Sequence, residues 1–254
     1  MPPPRNASRG INEVIVERQP TKKLSLRCCQ EQCHFSQSAV VAFTLAEVLI
    51  TLGIIGVVAA LTLPNLIANH KAIEMRTRFK TAYSLISQAV ERMKADGIST
   101  NPADYGANEF QPVFIKYFPN AKDCGTFQNE KESYNCPQNT PTYKDYSNTL
   151  TLHQGSLNDG QFVLTNGMLI LIENPGGGII YISVDINGVH KKPNRLGHDL
   201  FMFDLKNEKL IPSAGICQGS VPDEEIKDEP SFYYNGQGCA KYALTDPDYF
   251  KKLP

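Results

Sequence analysis

The stretch Phe43–Pro64, FTLAEVLITLGIIGVVAALTLP, decides how this chain is read. No Lys, Arg or Asp occurs between Gln32 and His70, and Glu47 is the only acid there. As a helix rising about 1.5 Å per residue, Phe43 to Leu63 reaches roughly 30 Å, the thickness of a bilayer's hydrocarbon core. A carboxylate in hydrocarbon is costly unless it stays near the interface or finds a partner. Glu47 lies one helical turn in from Phe43. Cutting the chain just before Phe43 creates a cationic α-amine close to that acid, on the same chain or on a neighbouring one. The uncut chain has no cation nearby.

The wider segment VAFTLAEVLITLGIIGVVAALTLPNLI, starting at Val41, resembles the N-terminal cleavage and methylation segment of type IV pilins and type II secretion pseudopilins. The pattern Phe43-Thr44-Leu45-x-Glu47, an uninterrupted apolar run and Pro64 at its end carry the likeness. The resemblance implies that a prepilin peptidase cuts between Ala42 and Phe43 and N-methylates Phe43. It further implies that Glu47 pairs with the terminal amine of an adjacent subunit in a helical filament. Ala42 stands where the family usually has Gly, so slower cleavage is expected. The plainer reading is an uncleaved signal anchor with Glu47 tolerated near the interface. A secretory signal fits worse, because the run is longer than an h-region and no small-x-small site ends it.

Around this segment the chain divides into a leader (1–42), a transmembrane and assembly segment (43–64), an amphipathic helix continuation (65–97) and a globular head (98–254). With 254 residues, 41% hydrophobic and 20% charged, it suits one ordinary domain plus appendages. The leader holds six basic and three acidic residues, which leaves 19 basic against 23 acidic in the rest. That mildly acidic balance gives no electrostatic footprint for nucleic acid. Lys22, Lys23 and Arg27 on one flank are matched by Lys71, Arg76, Arg78 and Lys80 on the other, so charge does not set the orientation. The resemblance does, with the head outside the cytoplasm of a bacterial inner membrane and then in a pilus or pseudopilus. Cys28, Cys29, Cys33 and His34 have no zinc spacing and are read as part of a discarded leader, or of a stretch upstream of the true start codon.

Past Pro64, a residue tolerated as a kink or in a first turn, the helical pattern resumes. Phe79, Ala82, Tyr83, Ile86, Ala89, Val90 and Met93 recur at spacings of three and four, and Asp96-Gly97 supplies the stop. An all-round apolar first half suits lipid or a ring of identical neighbours, and a striped second half suits a sheet of the same chain. The resemblance implies the same fold class: α+β, a pilin-like long N-terminal helix packed on a small antiparallel sheet with disulfide-stapled loops.

Residues 98–154 read mainly as loop, with a short amphipathic element over 110–118. Strand signals begin at Gln161, in QFVLT, MLILIE and GIIYISVDI, separated by Asn166-Gly167 and Pro175-Gly176-Gly177-Gly178. Residues 199–205 and 209–211 add shorter strands. Three or four antiparallel strands with one apolar face are expected over the helix stripe. Cys124 and Cys136 bracket a polar loop, as a bridge if the head is outside the cytoplasm, otherwise as two free thiols. Cys217 with Cys239 is the preferred second pair among the three connectivities open to four cysteines. The closing segment YYNGQGCAKYAL, from Tyr233, resembles that of pseudopilin-like proteins sharing the Asp-x-Asn-Gly stretch.

In VDINGVHKKPNRLGHDLFMF, from Val184, the residues Asp185, Asn187 and Asp199 are oxygen donors on a Gly-containing loop. The resemblance to major pseudopilins raises calcium as the one candidate cofactor. The simpler reading is a type I′ hairpin turn at Asn187-Gly188, with Asp199 bonding locally. His190 and His198 flank a Lys-rich loop and are read as solvated. No nucleophile elbow, phosphate loop or His-Glu-x-x-His helix occurs, so no enzyme is expected. The expected partners are the prepilin peptidase, identical or related subunits, the membrane, and an inner-membrane platform with its ATPase. A monomeric membrane-anchored binding module and an adhesive or DNA-uptake minor pilin are the alternatives.

Overall fold

The computed structural model describes residues 43–126, 136, 142–152, 157–218 and 235–253. The chain divides between Ile50 and Thr51 into two compact units. Helix α1 runs Leu45–Ala95, with Pro64 inside it. From residue 72 on, its buried positions are Ala72, Met75, Phe79, Ala82, Ile86, Ala89, Val90 and Met93. This is the stripe that the three-and-four spacing demands. Tyr83 lies at its half-buried edge. The helix stops as expected: Gly97 takes φ +69, the Ile98 N–H bonds Met93 O at 2.9 Å and the Gly97 N–H bonds Lys94 O at 3.0 Å. That pair of bonds is a Schellman cap, which satisfies carbonyls the helix end would otherwise orphan.

A six-stranded antiparallel sheet follows, its strands in sequence order: β1 (Lys122–Gly125), β2 (Gly160–Val163), β3 (Leu169–Glu173), β4 (Ile180–Asp185), β5 (Leu200–Lys206) and β6 (Lys209–Pro212). The sequence signals five of these six strands, with three or four expected to form the sheet, and leaves out β1. β1 is short, polar and irregular in register against β2, so no hydrophobic alternation announces it. Before β1, α2 (Phe110–Phe114) and a 3-10 turn (Ile115–Tyr117) make the short element expected over 110–118.

The expectation of one apolar face is corrected. Ile170, Ile172, Ile182, Val184, Phe201 and Phe203 join the helix stripe in one core, and register pairs Ile172 with Ile182 and Ile182 with Phe203. The alternate residues Leu169, Leu171, Leu200 and Met202 are also buried, against Tyr143, Leu152, Leu157 and Leu196. Both faces are therefore covered, which is why MLILI reads as a continuous apolar run and not as an alternation. Aromatic contacts centre on Phe79, fully buried, whose ring lies 4.5 Å from Phe201 and 5.9 Å from Phe250. Phe250 comes from the closing segment, where α3 (Cys239–Thr245) adds a helix that the sequence reading left out.

Candidate functional site

The first candidate is the opening of α1. The Thr44 N–H and its Oγ1 hydroxyl both donate to Glu47 Oε2 at 2.8 Å, and the Glu47 N–H donates to Thr44 Oγ1 at 3.2 Å. This is a capping box, in which Thr at the cap and an acid three residues on satisfy each other's backbone donors. The Thr-x-x-Glu signature before an apolar run was available in the sequence and gives Glu47 the task of holding the helix start. Residues 1–42, with Ala42, Cys28, Cys29, Cys33 and His34, lie outside the described residues, so the expected cleavage and methylation at Ala42 and Phe43 have no geometry here.

Within α1 the large apolar residues from Leu45 to Ile67 are exposed, from 44% at Val48 to 80% at Leu45. By length and composition the helix is able to cross a membrane, and none of the apolar stretch is buried. Gly53 and Gly56 have open space where a Cβ would stand. With Ala60 exposed and Ala59 partly so, they leave a low strip where another backbone can approach closely. A contiguous apolar surface of this extent marks a membrane or a protein partner.

The second candidate is the loop over residues 186–199 between β4 and β5. Asp185 and Asp199 are fully buried. The Asp185 carboxylate accepts from the Tyr143 hydroxyl at 2.7 Å and from the N–H groups of Gly188 at 2.8 Å and Asn187 at 3.2 Å. Asp199 accepts from the N–H groups of Asn194 and Arg195, each at 2.7 Å, and from Asn187 Nδ2 at 3.3 Å. Burial first, and then the nearby Asp199 charge, push the Asp185 carboxyl up to about 7; burial also raises Asp199.

The fold thus brings Asp185, Asn187 and Asp199 together, but as an organiser of the loop backbone. A type I′ turn needs positive φ at both central residues. Here Gly188 has φ +86 and Asn187 is not in that region, so the type I′ reading is corrected to a turn capped by Asp185. Gly188 also passes so close to Gly167 that a Cβ would stand 2.5 Å from its carbonyl oxygen.

Calcium takes about six to eight oxygens. The loop offers two carboxylates already engaged by donors, and Asn187 turns Nδ2 toward Asp199 while its buried Oδ1 and that of Asn194 have no partner among the described residues. No group of three His, Cys, Asp or Glu residues forms a cluster among the described residues. This arrangement does not fit a calcium cage.

The disulfides pair Cys124 with Cys136 and Cys217 with Cys239. The first sits in the core on the far face of the sheet, and Cys239 opens α3. Of the two loop histidines, His190 is exposed while His198 is buried against the Tyr146 ring at 4.7 Å. Burial lowers the His198 imidazole to about 4, so the solvated reading is corrected for His198. His153 and residues 222–230 lie outside the described residues. No family model, curated protein or solved structure matches the chain.

Proposed function

We propose that the chain is a structural subunit of a type II secretion pseudopilus or type IV pilus-like filament. On this reading a prepilin peptidase hydrolyses the Ala42–Phe43 bond and methylates the new amine. The head stands outside the cytoplasm, and an inner-membrane platform with its ATPase moves the subunit from bilayer to filament. The observation that carries the reading is a bare apolar helix surface with one acid a turn from Phe43.

The work is mechanical. Apolar helices are stable in lipid and equally stable in a bundle of identical helices, so transfer costs little if the polar groups stay matched. Both Thr44 bonds fall on Oε2 of Glu47, which leaves Oε1 to take a neighbour's amine and set the stagger between subunits. Pro64 marks where the all-round apolar surface gives way to the stripe.

A second reading, a membrane-anchored binding module that never polymerises, draws on the same capping box, since Thr44 already satisfies Glu47 within one chain. Glu47→Ala separates the two. A filament subunit should lose sheared, pelletable filaments by at least about tenfold, an interaction worth more than about 1.4 kcal/mol per subunit, while membrane insertion persists. A normal filament yield from Glu47→Ala would count against the registering role of the acid.

A further inference from the structure

A groove of about 480 Å³ opens beside the part of α1 that follows the apolar run. Its helical wall begins at Asn65, one residue past Pro64, and continues through Lys71 and Ala72 to Met75. Ten residues of helix cover about 15 Å. With the span in a bilayer, whose headgroup layer is roughly 5–8 Å deep on each side, the wall from Asn65 to Asn69 stands at headgroup depth, and the long Lys71 side chain, leaning back toward the helix N-terminus, reaches it. The facing wall carries Lys192 and Arg195, with Lys251 at one end.

Among the described residues, no Asp or Glu lines the groove. Lys251 is paired with Asp248 at 2.9 Å and Arg195 donates to the Tyr146 carbonyl, but Lys71 and Lys192 are exposed and make no ion pair among the described residues. Apolar surface from Met75, Phe250 and Leu253 completes it. Buried His198 contributes to the lining, and its Nε2 has no partner among the described residues. The imidazole N–H donates a hydrogen bond to the Tyr146 carbonyl, which leaves Nε2 as the unmet acceptor.

From this combination we propose that the groove binds the headgroup of an anionic phospholipid, its phosphate between Lys71 and Lys192 and its headgroup alcohol, which points away from the bilayer, toward Met75, Phe250 and His198. A free phosphate or an acidic peptide would use the same cations but has no reason to prefer headgroup depth. A hydroxylated headgroup such as that of phosphatidylglycerol also brings the donor that Nε2 lacks. The inference rests on the membrane span and not on filament assembly.

The test uses the full chain, first floated with phosphatidylcholine vesicles and then, in detergent, titrated by native mass spectrometry with phosphatidylglycerol or phosphatidylcholine. Flotation with the neutral vesicles, at least about tenfold tighter retention of one phosphatidylglycerol, and loss of that preference in Lys71→Gln/Lys192→Gln are expected. The charge-matched Lys206→Gln/Lys209→Gln, on exposed residues outside the groove, should keep it, and both variants should melt like the unsubstituted chain. Equal retention of the two lipids, an unchanged preference in Lys71→Gln/Lys192→Gln, an equal loss in the control variant, or displacement by glycerol phosphate at matched concentration would each overturn the lipid assignment. Failure to float with neutral vesicles would instead remove the span reading and the lipid with it.

Discussion

Within α1, residues 51–67 and residues 72–93 use the same apolar residue types and meet opposite fates. Ile55 is 63% exposed, whereas Ile86 is fully buried. Composition does not separate them. Pattern does: the first stretch is apolar on every side and no single sheet can cover it, while the second confines its apolar side chains to one stripe that the strands cover. An unmatched all-round surface points outside the chain for its partner, and a matched stripe points inside it.

Paired substitutions break or sharpen this contrast. Phe79→Ala removes the hub of the aromatic cluster and should destabilise the head by about 3–5 kcal/mol, while Ile55→Ala should change head stability by less than about 0.5 kcal/mol. Denaturant unfolding followed by near-UV circular dichroism reads both. A comparable loss from Ile55→Ala would mean that the first stretch is packed after all.

Gly188→Ala should cost about 1–3 kcal/mol, because the new Cβ meets the Gly167 carbonyl and the backbone stays at positive φ. Flotation with vesicles should not change, since the strain is confined to the packed region. Thermal melts of both chains check this, and equal midpoints would contradict the close approach of the two turns.

The smallest effect is in pH. Burial, and then the neighbouring Asp159 charge, push Glu173 up to about 7 from an ordinary 4.5. Between those values the native state holds a proton that the unfolded chain has released, so this group's contribution to stability falls as pH rises from about 4.5 to 7. Buried His198, lowered to about 4, acts in the opposite sense, adding stability as pH rises from about 4 to 6.5. Glu173→Gln leaves the histidine in place, so the comparison isolates the carboxyl. The variant should lose, relative to the parent, on the order of 1 kcal/mol more at pH 5 than at pH 8. A difference independent of pH would show that Glu173 titrates normally.

The stripe, the Gly97 stop and strands β2 to β6 were legible because each rests on local pattern; the two cysteine pairs were also named, the first on the compartment that the resemblance implies and the second as a preference among three connectivities. β1 was not, because Lys122-Asp123-Cys124 becomes a strand only by pairing with residues some forty positions on. The second buried face was hidden for a related reason: it is covered by Tyr143, Leu152 and Leu196, which the sequence places among loops. Asp185, Asn187 and Asp199 were singled out in the sequence, and the fold brings them together. Their chemistry was not readable, since whether a carboxylate meets backbone N–H groups or a cation depends on the loop path. The basic groove escaped notice because its walls come from three distant stretches of chain.

The central claim is that the exposed apolar stretch meets its own kind. Val57→Cys/Leu61→Cys in the full chain, treated in intact membranes and in sheared material with a short bismaleimide, measures this directly against the unsubstituted chain. Covalent dimers and higher multiples that vanish when Glu47→Ala is added are the predicted result. Monomer alone, from a chain shown to be in the membrane, would contradict the account.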